Sequence, residues 1–99
     1  MAIGKKVRLV ITRGAGGSVQ SLEKIEVINF NHAAGFITSS SVTKEDVSNS
    51  EQDRFVVETY WAEGTAPEFV LPTSPATTMI ALVADAVSKV NAKFPGTFV

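Results

Sequence analysis

Hydrophobic and polar residues alternate along the start of the chain. In residues 5–13, Val7, Leu9 and Ile11 fall on one side and polar residues fall on the other, which is the pattern of a β-strand with one buried face. Residues 14–18, Gly-Ala-Gly-Gly-Ser, interrupt the alternation. Because glycine readily adopts positive φ, this segment predicts a turn at the tip of a hairpin.

Two further segments follow the turn. Residues 22–30 are rich in β-branched residues and predict a second strand, although Leu22, Ile25 and Ile28 also fit a helical stripe. After a bend, residues 36–40 are a candidate for a short strand. The choice between strand and helix for residues 22–30 stays open from the sequence.

The middle of the chain contains its least hydrophobic and its most strand-like segments. Residues 39–53 are polar and predict a flexible surface loop. Residues 54–61 predict a central strand covered on both sides, because both faces carry bulky apolar groups. Residues 68–71 predict a short last strand. Residues 5–71 together therefore predict a region of β-sheet.

A helix over residues 74–94 is the clearest element of the sequence. Ser74 suits the N-cap and Pro75 the first helical position, and Phe94-Pro95-Gly96 ends the segment. Apolar residues at helical spacing form a stripe expected to face the sheet: Met79, Ile80, Val83, Ala86, Val87, Val90 and Phe94. The expected fold is α+β, an antiparallel sheet of about four to five strands followed by one C-terminal amphipathic helix, in a single domain over residues 1–99.

The opposite side of the helix carries small, uncharged residues. They are Thr77, Ala81, Ala84, Ser88, Asn91 and Ala92. Solvated helix faces normally carry more Lys and Glu, so this face predicts a contact between subunits of a homo-oligomer, a dimer or larger. The alternative is that alanine is simply a good helix former and needs no partner.

The composition excludes two common sources of additional stability for so small a chain. The 99 residues include no cysteine and one histidine, His32, which excludes disulfides and a Cys/His zinc site. Hydrophobic residues make up 44% of the chain, enough for a core, whereas charged residues make up only 19%. Burial against a partner subunit is the source of additional stability left open, unless the core alone suffices.

Candidate catalytic and cofactor motifs are weak. The glycine-rich segment 14–18 lacks the spacing, the Lys-Ser/Thr pair and the following helix of a P-loop. His32 has no recognisable nucleophile motif near it, and the acidic residues do not match an EF-hand loop. We therefore expect neither an enzyme nor a protein with a cofactor or a metal; an enzyme built on carboxylates is the third functional hypothesis.

Charge is unevenly distributed although the net charge is only -1. Lys6 and Arg8, with Lys24, predict a basic strand face that contacts phosphate or an acidic partner. Acidic residues concentrate between residues 45 and 68, so the alternative is that these segments lie together and compensate each other. A nucleic-acid-binding or adaptor module is accordingly the second functional hypothesis.

The order of elements resembles that of small bacteriophage coat proteins. Several predicted strands are followed by Pro-Thr-Ser-Pro at residues 72–75 and by a C-terminal amphipathic helix. The resemblance implies sheets paired across a dimer, helices laid over the neighbouring subunit, and RNA bound on the opposite sheet face. It covers element order over most of the chain and no motif, so it assigns no binding residue.

The leading functional hypothesis is a non-catalytic, self-associating structural protein, in one form a coat-like virion component. The start of the chain lacks the apolar run of a signal peptide, and the longest apolar run near the C-terminus, residues 79–84, is too short to cross a bilayer. We therefore expect no membrane partner, and a location in the cytoplasm or in a virion.

Overall fold

An antiparallel sheet of four strands, covered on one face by a single helix, forms the fold. The structure, a computed structural model, describes residues 2–46, 53–70 and 75–99. The elements are β1 Ala2–Arg13, β2 Val19–His32, β3 Ser39–Asp46, β4 Asp53–Trp61 and α1 Pro75–Lys93, with short 3-10 turns at Ala15–Gly17 and Glu68–Val70. The strand order is β2-β1-β4-β3. The predicted α+β fold is confirmed, with four strands.

The strand register assigns each side chain to one face of the sheet. Leu9 lies opposite Ile25 on β2 and opposite Val57 on β4, so all three share the face that the helix covers. Strands β2 and β3 lie at the two edges, and residues 33–38 cross the end of the sheet to connect them. One short crossover therefore joins the end of β2 to the start of β3.

The core lies between the helix and the central strands. Side chains that are almost fully buried on the sheet are Val7, Leu9, Ile11, Phe55 and Val57. The helix meets them with Leu82, Ala86 and Val90, spaced four residues apart on one side. Because Ala86 is small and fully buried, it allows the helix backbone to approach the sheet closely.

The predicted inward stripe of the helix is wrong at its first two positions. Met79 and Ile80 are 48% and 72% exposed, whereas Leu82, which lies outside that stripe, is 2% exposed. The apolar residues of the helix cover a wide arc, and only the middle of this arc, centred on Ala86, rests on the sheet. Val83 and Val87 lie at its border and are partly buried.

Three expectations for the middle of the chain also need correction. Residues 39–46 of the predicted loop form β3, and residues 36–38 are outside any strand. Pairing with β4 and burial of Val42, which is 5% exposed, outweigh the polar composition, since an edge strand tolerates Ser and Thr at its exposed positions. Glu68–Val70 forms a 3-10 turn instead of a strand. Ser74 and residues 47–52 of the predicted loop lie outside the described residues.

Strand β4 is central, as predicted, but the helix covers only one of its faces. On the other face, Val10 and Val56 are nevertheless buried, at 6% and 8% exposure. The long side chains of Arg8, Lys24 and Arg54 surround them. Their aliphatic stems shield the two valines while the charged groups stay in water, so no second layer of structure is needed there.

Candidate functional site

Three basic residues predicted to share a strand face do lie on one face of the sheet. Lys6 and Arg8 point to the side without the helix, and Lys24 lies opposite Val10 on the same side. The antiparallel register also brings Glu26 and Glu58 directly opposite Arg8, from the two neighbouring strands. Cations and carboxylates therefore alternate across this face.

Each of the three cations is paired. Lys6 Nζ lies 3.0 Å from a Glu58 carboxylate oxygen, and Lys24 Nζ lies 2.9 Å from Glu26. Arg8 is shared between the two carboxylates, at 3.6 Å from Glu26 and 4.0 Å from Glu58. The compensation that the sequence left as an alternative is what the geometry shows for these residues, so the face has little net positive charge.

A second group on this face also pairs a cation with carboxylates. Arg54 Nε donates to Glu23 at 2.7 Å, and Arg54 Nη1 lies 3.6 Å from Glu45. Together with the first group, it lines a shallow depression of about 430 Å³. Three cations (Arg8, Lys24, Arg54) and two carboxylates (Glu23, Glu45) line it, and the described lining residues include no histidine, serine or threonine that could serve as a nucleophile or a general base.

The proton affinities on this face reflect the pairing. Hydrogen bonding to Glu58 and to Tyr60 raises the pKa of Lys6. The hydrogen bond from Lys24 lowers the pKa of the Glu26 carboxyl. The pKa of Arg54 is raised chiefly by its hydrogen bond to Glu23. Each shift favours the charged form of the group, so the network is mutually stabilised at neutral pH.

The residues predicted as an oligomer interface are divided between surface and interior. Thr77, Ala84, Ser88 and Ala92 are exposed, whereas Ala81 and Asn91 are half-buried. The side chain of Asn91 is hydrogen-bonded to the backbone of Phe98. The first four thus form a smooth outer surface on the helix, and Asn91 belongs to the interior of the same chain.

A large apolar side chain, Ile80, extends this outer surface and is 72% exposed beside the small residues. Met79 is also exposed, but it lies on the side of the helix that carries Ala86. Among the exposed helix residues that the structure describes, Lys93 alone is charged. The sequence pattern missed the exposure of Met79 and Ile80 because it assigned both residues to the core. The exposure of Ile80 depends on how the helix is rotated on the sheet, which periodicity alone does not determine.

The edge of β2 is a second unassigned surface. This strand pairs with β1 on one side, and among the described residues no strand pairs with its other side. Its 14 residues include no proline, and Val27 and Ile28 are 38% and 47% exposed on its two faces. The sequence could not identify this edge, since which strand lies outermost depends on the strand order.

The edge of β3 differs from that of β2. Lys93 Nζ donates a hydrogen bond of 2.7 Å to the carbonyl oxygen of Val42, and the exposed positions of the strand carry Ser, Thr, Lys and Glu. Lysine and other polar side chains on an edge strand disfavour pairing with another strand. Of the two edges, β2 is therefore the better suited to accept a partner.

Other classes of site find little support in the geometry. In the described ranges, no group of three His, Asp or Glu side chains comes together as a metal site, and none of the helix there is long and apolar enough to cross a membrane. Comparisons with protein-family models, with curated proteins and with solved structures found no match for the chain.

Proposed function

We propose that this protein is a non-catalytic structural protein that assembles with copies of itself, as the subunits of a virion coat do. The observation that carries the proposal is the uncovered apolar surface beside the free edge of β2. Val27 and Ile80 are both exposed, at 38% and 72%. Large apolar side chains exposed on one side of a small domain are typical of an interaction site.

The two residues lie on the same side of the molecule. Lys89 and Ala92 line the groove between the helix and β3. At about 100° per residue, Ile80, Val83 and Val87 lie on the opposite flank of the helix, toward β1 and β2. Val27 lies opposite the buried Val7 and so faces the helix side of the sheet. We call Ile25, Val27, Ile80, Val83 and Val87 the apolar flank.

A second copy of the chain is the partner that satisfies both features. A β2 strand from another copy supplies backbone donors and acceptors to the free edge, and its own apolar flank covers this one. The outer half of β2, residues 27–32, contains no Lys, Arg, Asp or Glu that would oppose such pairing. Identical surfaces related by a two-fold axis meet both requirements at once.

The nucleic-acid or adaptor alternative receives less support. Lys6, Arg8 and Lys24 share a face, as that hypothesis requires, but each is already bound to Glu26 or Glu58. A polyanion would have to compete with these carboxylates for the same cations. Tyr60, with Lys6 Nζ 5.3 Å from its ring centroid, and Phe30, packed edge-on against it at 5.3 Å, are the kind of side chain that stacks on bases.

Sedimentation velocity over a range of concentrations tests the proposal. We expect the native chain to form species larger than the 10.5 kDa monomer, and Val27→Lys and Ile80→Lys to shift the distribution toward monomer. Thr43→Lys, at an exposed position on the β3 edge, is the matched control and should assemble like the native chain. A native chain that stays monomeric at millimolar concentration would refute the proposal.

A nucleic-acid arm of the same experiment separates the two hypotheses. A single-stranded RNA added to monomeric Val27→Lys protein reports binding without assembly. Salt-dependent binding that is lost in Lys6→Ala with Arg8→Ala would favour the binding module. We expect no retention of RNA by the monomer at physiological salt.

A further inference from the structure

His32 lies at the end of β2, where the crossover to β3 begins, and only 9% of it is exposed. Its Nε2 accepts a hydrogen bond of 2.9 Å from the backbone N–H of Glu63. Its Nδ1 lies 3.0 Å from the carbonyl oxygen of Ala33. Because a backbone amide can only donate, Nε2 carries no proton, and the ring proton sits on Nδ1 and is donated to Ala33. This arrangement requires the neutral ring.

Aromatic rings enclose the imidazole. The centroids of Phe30 and Phe36 lie 5.6 Å and 5.1 Å from that of His32. Gly4 on β1 gives the ring its space, since a Cβ there would lie 3.1 Å from His32 Cδ2. The environment therefore offers no additional acceptor for a second ring proton.

Charged groups on the neighbouring elements are already engaged or lie outward. On β1, Lys5 Nζ is hydrogen-bonded to Asn29 and Lys6 Nζ is paired with Glu58. Residues 33–38 of the crossover include no charged residue. The turn after β4 contributes Glu63, which is exposed to solvent. Among the residues that the structure describes, no carboxylate forms an ion pair with His32.

We propose that His32 is a pH-sensitive latch that fastens the crossover between the two edge strands. Protonation places a hydrogen on Nε2, directly against the N–H of Glu63, so the amide loses its acceptor and the two donors oppose each other. Histidine side chains ordinarily change charge between about pH 5 and 8, which is the range over which the latch is tested.

Opening of the latch is local. The other end of the crossover is held separately, because Thr38 Oγ1 accepts from the N–H of Ala62 at 3.5 Å and lies 3.2 Å from Thr65 Oγ1. The first half of the crossover, with Phe36, is therefore released while the sheet and the helix stay folded. The inference does not depend on self-association and applies equally to a monomer.

Hydrogen exchange of the Glu63 amide measures the latch directly. With exchange rates corrected for the intrinsic effect of pH, we expect protection of this amide to fall about tenfold between about pH 7.5 and about pH 5. The amide of Val57 in the central strand, used as the reference, should keep its protection. Equal protection of Glu63 at both pH values would overturn the proposal.

His32→Gln supplies the first variant. The Gln side-chain oxygen can accept from the Glu63 amide but does not titrate, so protection of this amide should become independent of pH. A fall in protection as large as in the native chain would contradict the latch.

A second pair of variants at residue 63 acts on the donor and is independent of how His32→Gln folds. Glu63 is the second residue of a turn closed by a 3.0 Å bond from Thr65 N–H to the Ala62 carbonyl, with Gly64 at φ 77°. Proline suits the φ of that position, so Glu63→Pro keeps the turn and removes the N–H, and its Cδ, which takes the place of the amide hydrogen, displaces the His32 ring. Glu63→Gln removes only the carboxylate.

The denaturant midpoint at the two pH values is the readout for this pair. Glu63→Gln should lose as much stability in acid as the native chain, whereas Glu63→Pro should lose less, since it has no amide to be left unpaired. An identical loss in both variants would overturn the proposal.

Discussion

The side chain of Asn91 satisfies both backbone hydrogen-bonding groups of Phe98. Its amide nitrogen donates to the Phe98 carbonyl at 3.1 Å, and its Oδ1 accepts from the Phe98 N–H at 2.8 Å. The ring of Phe98 is 6% exposed and packs against Phe55, with centroids 5.7 Å apart. One residue of the last helical turns thus holds the segment after the helix against the core.

Replacement of Asn91 should loosen the C-terminal segment. Asn91→Leu leaves two backbone groups of Phe98 without partners, and we expect it to lower the free energy of unfolding by about 1–3 kcal/mol. Ser88→Ala, on the exposed surface of the same helix, is the control and should change it by less than about 0.5 kcal/mol. Chemical denaturation measures both, and equal stabilities would contradict the role given to Asn91.

The rotation of the helix on the sheet is tested by two aliphatic residues. Leu82→Ala should cost about 2–5 kcal/mol in unfolding free energy, because it leaves a cavity in the core. Ile80→Ala should cost less than about 0.5 kcal/mol when measured at a concentration where the chain is monomeric, since Ile80 is 72% exposed. A larger loss of unfolding free energy in Ile80→Ala than in Leu82→Ala would contradict this rotation and support the inward stripe predicted from the sequence.

Gly4 should not tolerate a side chain. A Cβ at this position would lie 2.1 Å from the carbonyl oxygen of Trp61 and 2.8 Å from the ring of Phe30, both of which belong to neighbouring strands. We expect Gly4→Ala to destabilise the protein more than Gly35→Ala, where open space leaves only the cost of a positive φ, about 1–2 kcal/mol. Thermal unfolding of the two variants measures which of them is the less stable.

The ion pairs on the helix-free face should make stability depend on pH at both extremes. The lowered pKa of Glu26 means that its contribution is present above about pH 4.3 and is lost as the pH falls through the lower, folded-state pKa. The raised pKa of Lys6 means that its contribution is present below about pH 10.4 and is lost as the pH rises through the higher value.

Carboxyl and side-chain amine NMR titrations measure these two groups. In Lys24→Ala, which removes the principal hydrogen bond to Glu26, the pKa of Glu26 should rise. In Glu58→Gln, the pKa of Lys6 should fall. Unchanged pKa values in both variants would show that the ion pairs do not persist in solution. Added salt should weaken the ion pairs, and so shift each pKa in the same direction as the corresponding substitution.

Periodicity was sufficient for the elements whose own residues carry a pattern. Alternation predicts β1 and β4, and the caps with the 3.6-residue spacing predict the helix, whereas β2 was predicted from its β-branched residues with a helix left as the alternative. It failed for β3, because Ser39–Asp46 contains a single buried apolar residue, Val42, and is held in the sheet by β4. That information is tertiary and is not contained in the segment itself.

The surfaces were harder to predict than the elements. The pairing of Arg8 with Glu26 and Glu58 depends on cross-strand register, which places residues from three strands side by side. The exposure of Ile80 depends on which part of a wide apolar arc meets the sheet. The first requires the strand order β2-β1-β4-β3 and the second the rotation of the helix, and the sequence pattern specifies neither.

Hydrogen exchange of β2, measured at low and at high protein concentration, tests self-association through this edge most directly. Every second backbone amide of residues 24–32 points away from β1 and has no partner strand in the described parts of the monomer. We predict that these outward amides become protected as the concentration rises, while the amides of β3 exchange as before. Exchange from β2 that is equally fast at every concentration would contradict the account.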